Sequence, residues 1–188
     1  MKNRRSFIKK STLSLAGLTF LNSISAKSYR KIIGSNERIN IAFQGLGRRI
    51  PGLMTGALAY KNIEVSYLCD VMDNQIKKAS ERYFNLTGKT TKSEKNIHRI
   101  FEDKDVDAII MATPDHWHAY GACKAMESGK HVYLEKPCSH NMNESDLLVN
   151  YQKYFKKVVQ MGNQQRSSPH TIELMQKIKD GEIGNTYK

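Results

Sequence analysis

Ile39-Asn40-Ile41-Ala42-Phe43-Gln44-Gly45-Leu46-Gly47 reads as a buried strand that runs straight into a glycine turn. A short β-branched and aromatic run closed by two glycines is how a parallel sheet delivers its backbone to a pyrophosphate. Gly45 permits the tight turn. Gly47 leaves no side chain between backbone and phosphates, with Leu46 held between the two. From Arg48 onward a helix is expected, its unpaired N–H groups facing an anion. The third place of the Gly-x-Gly-x-x-Gly pattern is Ile50, and the next glycine comes only at Gly52. The turn therefore needs agreement from other stations along the chain.

Downstream, Leu53, Met54, Ala57 and Leu58 fall at helical spacing. Ile63 to Leu68 is strand-like and ends at Cys69-Asp70-Val71. Asp70 lies 25 residues beyond Gly45, near the place where such a fold sets an acid to hydrogen-bond a ribose 2′-hydroxyl. An acid there repels a 2′-phosphate, and no arginine follows in Val71-Met72-Asp73, so NAD is favoured over NADP. The competing reading makes Asp70 the cap of a helix beginning near Met72.

A helix over 72–84, a polar loop over 87–93 and a short helical piece over 97–101 follow. Ala108-Ile109-Ile110-Met111-Ala112 is a continuous apolar run of the kind buried on both faces of a parallel sheet. It stops at Thr113-Pro114-Asp115-His116-Trp117-His118. A helix from about Ala119 to Ser128 is closed by Gly129. A strand over 131–134 ends in Glu135-Lys136-Pro137, followed by a helix over 144–155 and a strand over 158–161. The loop Gly162-Asn163-Gln164-Gln165-Arg166 and a helix over 169–179 complete the order. This alternation predicts an α/β fold, an open parallel sheet with helices on both faces.

The formal charge of +12 invites a nucleic-acid reading, but six of the cations, Lys2 to Lys27, stand in a leader without a single acid. The rest carries 24 basic against 18 acidic residues, interspersed as on a solvated surface, so no nucleic-acid partner is expected. Three widely spaced cysteines, Cys69, Cys123 and Cys138, make neither a disulfide framework nor a CxxC site. The leader, residues 1–27, runs Arg4-Arg5-Ser6-Phe7-Ile8-Lys9, then apolar to Ser23-Ile24-Ser25-Ala26. Its apolar part is short of the ~20 residues that span a bilayer, and its basic-then-small order is that of a cleaved signal. It resembles the twin-arginine type, which exports folded proteins to the periplasm through the twin-arginine machinery. A protein exported with its nucleotide must fold around it first, so leader and glycine turn agree. The alternative is an uncleaved basic amphipathic anchor. Residues 28–37 read as a linker.

Thr113-Pro114-Asp115-x-x-His118 and Glu135-Lys136-Pro137 stand at two strand ends, 22 residues apart from Thr113 to Glu135. With the glycine turn and Asp70 they resemble the cofactor domain of the Gfo/Idh/MocA family, the glucose-fructose oxidoreductase and inositol dehydrogenase group. The resemblance implies a Rossmann-type doubly wound sheet over 38–183, an NAD cofactor and a homo-oligomeric parent. It also implies a second α/β domain carrying much of the substrate site. That domain is expected to be absent from this chain, with 184–188 its first residues. Such a chain would bind NAD, turn nothing over alone and tend to self-associate.

Gly45, Asp70, Thr113, Glu135 and Asn163 stand at carboxyl ends of strands and are expected to line one crevice. The cofactor set reads Gly45, Leu46, Gly47, Arg48, Arg49, Asp70, Thr113, Pro114, Asp115, His116, Trp117, His118, Glu135, Lys136 and Asn163. Hydride removal from a sugar or polyol carbon needs a base for the hydroxyl proton. Lys136, expected to be partly desolvated beside a cationic nicotinamide, is the candidate, with His118 as a second catalytic candidate. The bland reading makes Lys136 a surface lysine paired with Glu135 or Glu144. The resemblance implies a cis bond before Pro137. Asp115, His116 and His118 could ligate a metal, but no third ligand cluster lies nearby and none is expected. Otherwise Asp115 caps the helix, Trp117 packs and His118 reaches the nicotinamide ribose or ring. Arg48 and Arg49 touch phosphate or face solvent. Arg166, with Lys136, is a substrate candidate.

Two activities follow from the resemblance. One is an exported NAD-dependent oxidoreductase of sugars, polyols or their derivatives. The other is a glycosidase that holds NAD and cleaves by transient oxidation and elimination; those relatives tend to lack the lysine.

Overall fold

The computed structural model describes residues 37–184. The leader at 1–27, nearly all of the linker at 28–37 and the last four residues lie outside the described residues. Contacts separate 1–38 from 39–188, and the sheet and helices that follow belong to the second unit.

Six strands form one parallel sheet: β1 (Ile39–Gln44), β2 (Ile63–Cys69), β3 (Lys92–Glu94), β4 (Ala108–Met111), β5 (His131–Glu135) and β6 (Val159–Gly162). They lie in the order β3-β2-β1-β4-β5-β6. The chain winds outward from β1 to β3, returns to the other side of β1 at β4, and winds outward again. This leaves a topological switch point between the carboxyl ends of β1 and β4. The helices are α1 (Ile50–Leu58), α2 (Asp73–Thr87), α3 (Ile97–Glu102), α4 (His118–Glu127), α5 (Met142–Phe155) and α6 (Pro169–Lys179).

Alternation along β1 divides its side chains between two cores. Ile41 and Phe43 pack with Ile50 and Met54 of α1 and Ala79 and Tyr83 of α2. Ala42 faces the opposite layer, where Ile100 and Phe101 of α3, the Ala122 and Met126 stripe of α4 and Leu148 of α5 meet Ile109, Met111, Val132 and Leu134. The sheet is thus covered on both faces. Each fully buried side chain such as Phe43, Leu68 or Ile109 contributes about 1.5–3 kcal/mol.

Local chemistry sets the helix ends. Gly88 at φ +66° closes α2, and Gly129 at φ +82° follows α4. Asn141 Oδ1 accepts from Glu144 N at 3.0 Å to start α5, while the Glu144 carboxylate takes the His140 amide at 2.7 Å. The stretch read as a polar loop over 87–93 is corrected: its end forms β3, with Tyr67 opposite Lys92 and Cys69 opposite Glu94. Among the described residues no helix is long and apolar enough to cross a membrane.

Candidate functional site

Gly45 sits at the switch point with φ +79°. A β-carbon there would lie 2.7 Å from Thr113 N and 2.8 Å from the Ala112 carbonyl, so the turn between β1 and α1 presses directly on the chain leaving β4. Gly47 has open space, with nothing within 4 Å of the point a β-carbon would occupy. Gly45 N donates to Cys69 O at 2.9 Å.

Asp70 ties this turn to the end of β2. Its Oδ2 accepts from Leu46 N at 2.7 Å and its Oδ1 from Met72 N at 2.9 Å. It does not cap α2, which begins at Asp73 behind Met72 with no side-chain cap bond. Each carboxylate oxygen keeps a lone pair for a ligand hydroxyl.

The two arginines part company. Arg48 is exposed and lines the crevice. Arg49, which also lines the groove with its side chain 39% exposed, donates from Nε to Glu135 Oε1 at 2.6 Å, 86 residues away. This carboxylate, with a smaller contribution from Tyr133, raises the Arg49 guanidinium above its already high value. Ile50, at the third glycine's place, is 1 % exposed and belongs to the α1–α2 core. At Gly52 a β-carbon would stand 3.2 Å from Arg49 Nη1.

At the end of β5 the buried Glu135 also accepts the Lys136 amide, through Oε2 at 3.1 Å. The Lys136–Pro137 bond is cis. Lys136 itself is exposed. The strand ends at the buried Glu135, and Lys136 starts the rim. It is not paired with Glu135 or Glu144, which face Arg49 and the His140 amide. His118 is 1 % exposed at the start of α4, and its Nδ1 meets Pro137 O at 2.5 Å. A carbonyl only accepts, so Nδ1 carries a proton, which leaves Nε2 as the ring nitrogen facing away from this bond. That Nε2 is buried without a partner.

Gly45, Gly47, Arg48, Arg49, Asp70, Thr113, Pro114, Asp115, His118, Glu135 and Lys136 line one groove of about 820 Å³ on the carboxyl edge of the sheet. Leu46 is buried beneath the turn. Five residues absent from the sequence-derived set, Val71, Met72, Gln75, Ala112 and Gln164, line it too. Against Asp70, Val71, Thr113 and Pro114 it adjoins a second hollow of about 430 Å³ that includes Asn96, Ile97, Trp117 and Tyr120. Four expectations fall away from the groove. His116, Asn163 and Arg166 are exposed and line neither cavity. Trp117 lines only the hollow, is 52 % exposed, and meets Tyr120 edge-on at 5.9 Å. Asp115 opens a 3-10 turn, Asp115–Trp117, and makes no cap bond there. β6 ends at Gly162, one residue later than the sequence suggested, and the following turn brings Gln164 to the groove in place of Asn163.

Burial pushes the Cys69 thiol up to about 12 and the Cys123 thiol to about 11; neither is a nucleophile at neutral pH. Among the described residues no three of His, Cys, Asp and Glu are grouped to hold a metal ion.

Comparison with known proteins agrees with this geometry. The Gfo/Idh/MocA profile, described as an oxidoreductase family with an NAD-binding Rossmann fold, matches residues 39–163. A glycosyl hydrolase family 109 protein of Shewanella pealeana is 25% identical over 97% of this chain and 44% of its own length. An inositol 2-dehydrogenase of Salmonella typhimurium is 28% identical over 73% of this chain and 38% of its own. Among solved structures, the WlbA dehydrogenase of Chromobacterium violaceum, in complex with NADH and UDP-GlcNAcA, superposes with a TM-score of 0.67 and 26% identity. That likeness covers 80% of this chain and 42% of the other. The chain thus spans less than half the length of the relatives it matches.

Proposed function

Because the chain belongs to the Gfo/Idh/MocA oxidoreductase family and carries its NAD-binding Rossmann domain, we propose that it serves an exported NAD-dependent oxidoreductase of sugars, polyols or their derivatives. The observation that carries the reading is the convergence of the glycine turn, Asp70, Thr113, His118 and Lys136 on one groove. These residues come from four separate stretches of sequence.

The residues present fit a dinucleotide. Gly47 offers unobstructed backbone where a pyrophosphate needs close approach, with Arg48 beside it. Asp70 has lone pairs left for ribose hydroxyls and a charge that disfavours a 2′-phosphate. The hollow lined by Val71, Pro114, Trp117 and Tyr120 suits a flat aromatic base. At the other end, the unpartnered Nε2 of His118 accepts a hydrogen bond from a ribose hydroxyl or carboxamide. NAD, when bound, supplies the hydride acceptor. Lys136 receives or returns the substrate hydroxyl proton at Nζ. His118 is a positioning residue in this scheme, holding the Pro137 carbonyl. The leader supports export by the twin-arginine route to the periplasm.

Titration of NAD into the protein, followed through Trp117, its single tryptophan, and by calorimetry tests the cofactor reading. Saturable binding of NAD, tighter than that of NADP, is expected; no response to either would refute it.

A family 109 glycosidase is the second reading, favoured by a match that runs through 97% of the chain. Lys136 speaks for the dehydrogenase. In a protein spanning the full length of these relatives, release of nitrophenol from a nitrophenyl glycoside without added NAD would decide for the glycosidase, and NADH formation from free sugars or polyols for the dehydrogenase.

A further inference from the structure

We infer that Arg49 is a positioning residue that keeps the buried Glu135 carboxylate occupied, and so leaves the neighbouring Lys136 ammonium unpaired and available for proton transfer. The inference deepens the proposed function: it needs that reading for the purpose of Lys136, although the interaction itself stands on geometry alone.

Glu135 is 5 % exposed and carries a charge at the floor of the groove. A carboxylate so buried needs a cation or several hydrogen bonds. Two partners are seen: the Arg49 guanidinium at 2.6 Å and the Lys136 backbone amide at 3.1 Å. The second bond folds the carboxylate back over residue 136. Lys136 lines the same groove as Glu135 and sits next to it in the chain. If the guanidinium is removed, that ammonium is the adjacent cation able to turn in.

The other charged or titratable groups facing this space are Arg48, Asp70, Asp115 and His118 along the groove, with Tyr133 beside Arg49 and Glu135. Asp70 is engaged by two backbone amides, and His118 donates to Pro137 O. Arg48 is the other cation of the groove, and it stands on the exposed side of the turn. Gly52 fits the same arrangement: any larger residue there presses on Arg49 Nη1 at 3.2 Å. Arginine's planar fork can serve Glu135 and Tyr133 together in one fixed geometry.

The test follows the acid–base behaviour of one amine in the intact chain without cofactor. Lys136 acylation by a trace of acetic anhydride is read peptide by peptide in a mass spectrometer across pH 7–11, in wild type, Arg49→Met, Arg49→Lys and Arg49→Met/Glu135→Gln. In Arg49→Met, Lys136 labelling at pH 8 is expected to fall about three- to tenfold, as an acquired carboxylate partner holds the ammonium charged. Arg49→Lys should restore most of it, and the double variant, with no carboxylate to capture the amine, all of it. A Lys136 profile in folded Arg49→Met identical to wild type overturns the inference. If Arg49→Met does not fold, the folded double variant combined with Glu135→Gln alone decides: two unchanged profiles support the inference, and a change on removing the carboxylate in the presence of Arg49 overturns it. Loss of NAD binding in wild type would sink the cofactor reading and leave this result untouched, so the two failures are distinguishable.

Discussion

Two glycines of the same turn should respond in opposite ways to one added methyl group. At Gly45 the backbone has φ +79°, and a β-carbon would sit 2.7–2.8 Å from Thr113 N and the Ala112 carbonyl. Those are backbone atoms of the chain leaving β4, and they cannot swing aside as a side-chain tip could. The left-handed conformation costs an alanine roughly 1–2 kcal/mol, and relief of the overlap adds about 1–3 kcal/mol. Gly45→Ala is therefore expected to lose about 2–5 kcal/mol, a large fraction of a domain's usual 5–15 kcal/mol. For a domain of this size that lowers the unfolding midpoint by on the order of 10 °C.

Gly47 has nothing within 4 Å of a β-carbon and no positive φ. Gly47→Ala should stay within about 0.5 kcal/mol of wild type in stability. Its methyl instead occupies the space through which the turn is proposed to approach a pyrophosphate, so NAD affinity should fall at least tenfold, about 1.4 kcal/mol. Thermal unfolding by circular dichroism reads the first effect, and calorimetric titration with NAD the second. A Gly45→Ala protein as stable as wild type would refute the steric argument. A Gly47→Ala protein that binds NAD normally would refute the placement of the phosphates on this turn.

Asp70→Ala strips the acceptors from the Leu46 and Met72 amides; it should cost about 1–3 kcal/mol in urea unfolding and narrow the preference for NAD over NADP. Trp117→Ala, half-exposed at the lip of the hollow, should barely alter stability yet weaken NAD binding by about 1–3 kcal/mol if a base stacks there; unchanged calorimetry would move the base elsewhere. The buried thiols predict an alkaline limit. Cys69 and Cys123 are raised to about 12 and about 11 in the folded chain from an ordinary 9.0, so the unfolded chain loses their protons first. Their contribution is complete below pH 9 and is lost as pH climbs toward 11–12. Cys69→Ala should flatten that decline in unfolding midpoint, and an identical slope would rule the thiol out. At pH 8 in the native state Ellman's reagent should find the half-buried Cys138 ahead of both.

Strands buried on both faces announce themselves as continuous apolar runs, which is why β1, β4 and β5, and with them the positions of Gly45, Thr113 and Glu135, are legible in sequence. α6 is legible from Pro169 onward because proline fixes a helix start. Lys92-Ser93-Glu94 carries no such signal. It is an edge strand with charged side chains, held only by pairing to β2, and pairing is a tertiary fact. Asn163 misses the groove for a one-residue reason: the extra strand residue Gly162 sends the next side chain elsewhere. Lys136 is exposed because β5 ends at the buried Glu135, leaving the lysine on the rim.

The departure at the third glycine position turns out to be coupled to the site. Where the usual pattern uses a glycine to bring helix and strand together, Ile50 instead fills the α1–α2 core and is buried to 1 %. The displaced glycine, Gly52, falls beside the Arg49 guanidinium, and Arg49 is free to cross to Glu135. A sequence reader sees one missing glycine and one surplus arginine as separate irregularities, 86 residues from the carboxylate that joins them. In space they are one arrangement, in which the helix start after the glycine turn is fastened to the strand end that bears Lys136. Any change that restores a small residue at Ile50 would thus remove core packing without recovering the usual turn, because Arg49 and Gly52 have already settled the geometry around a different contact.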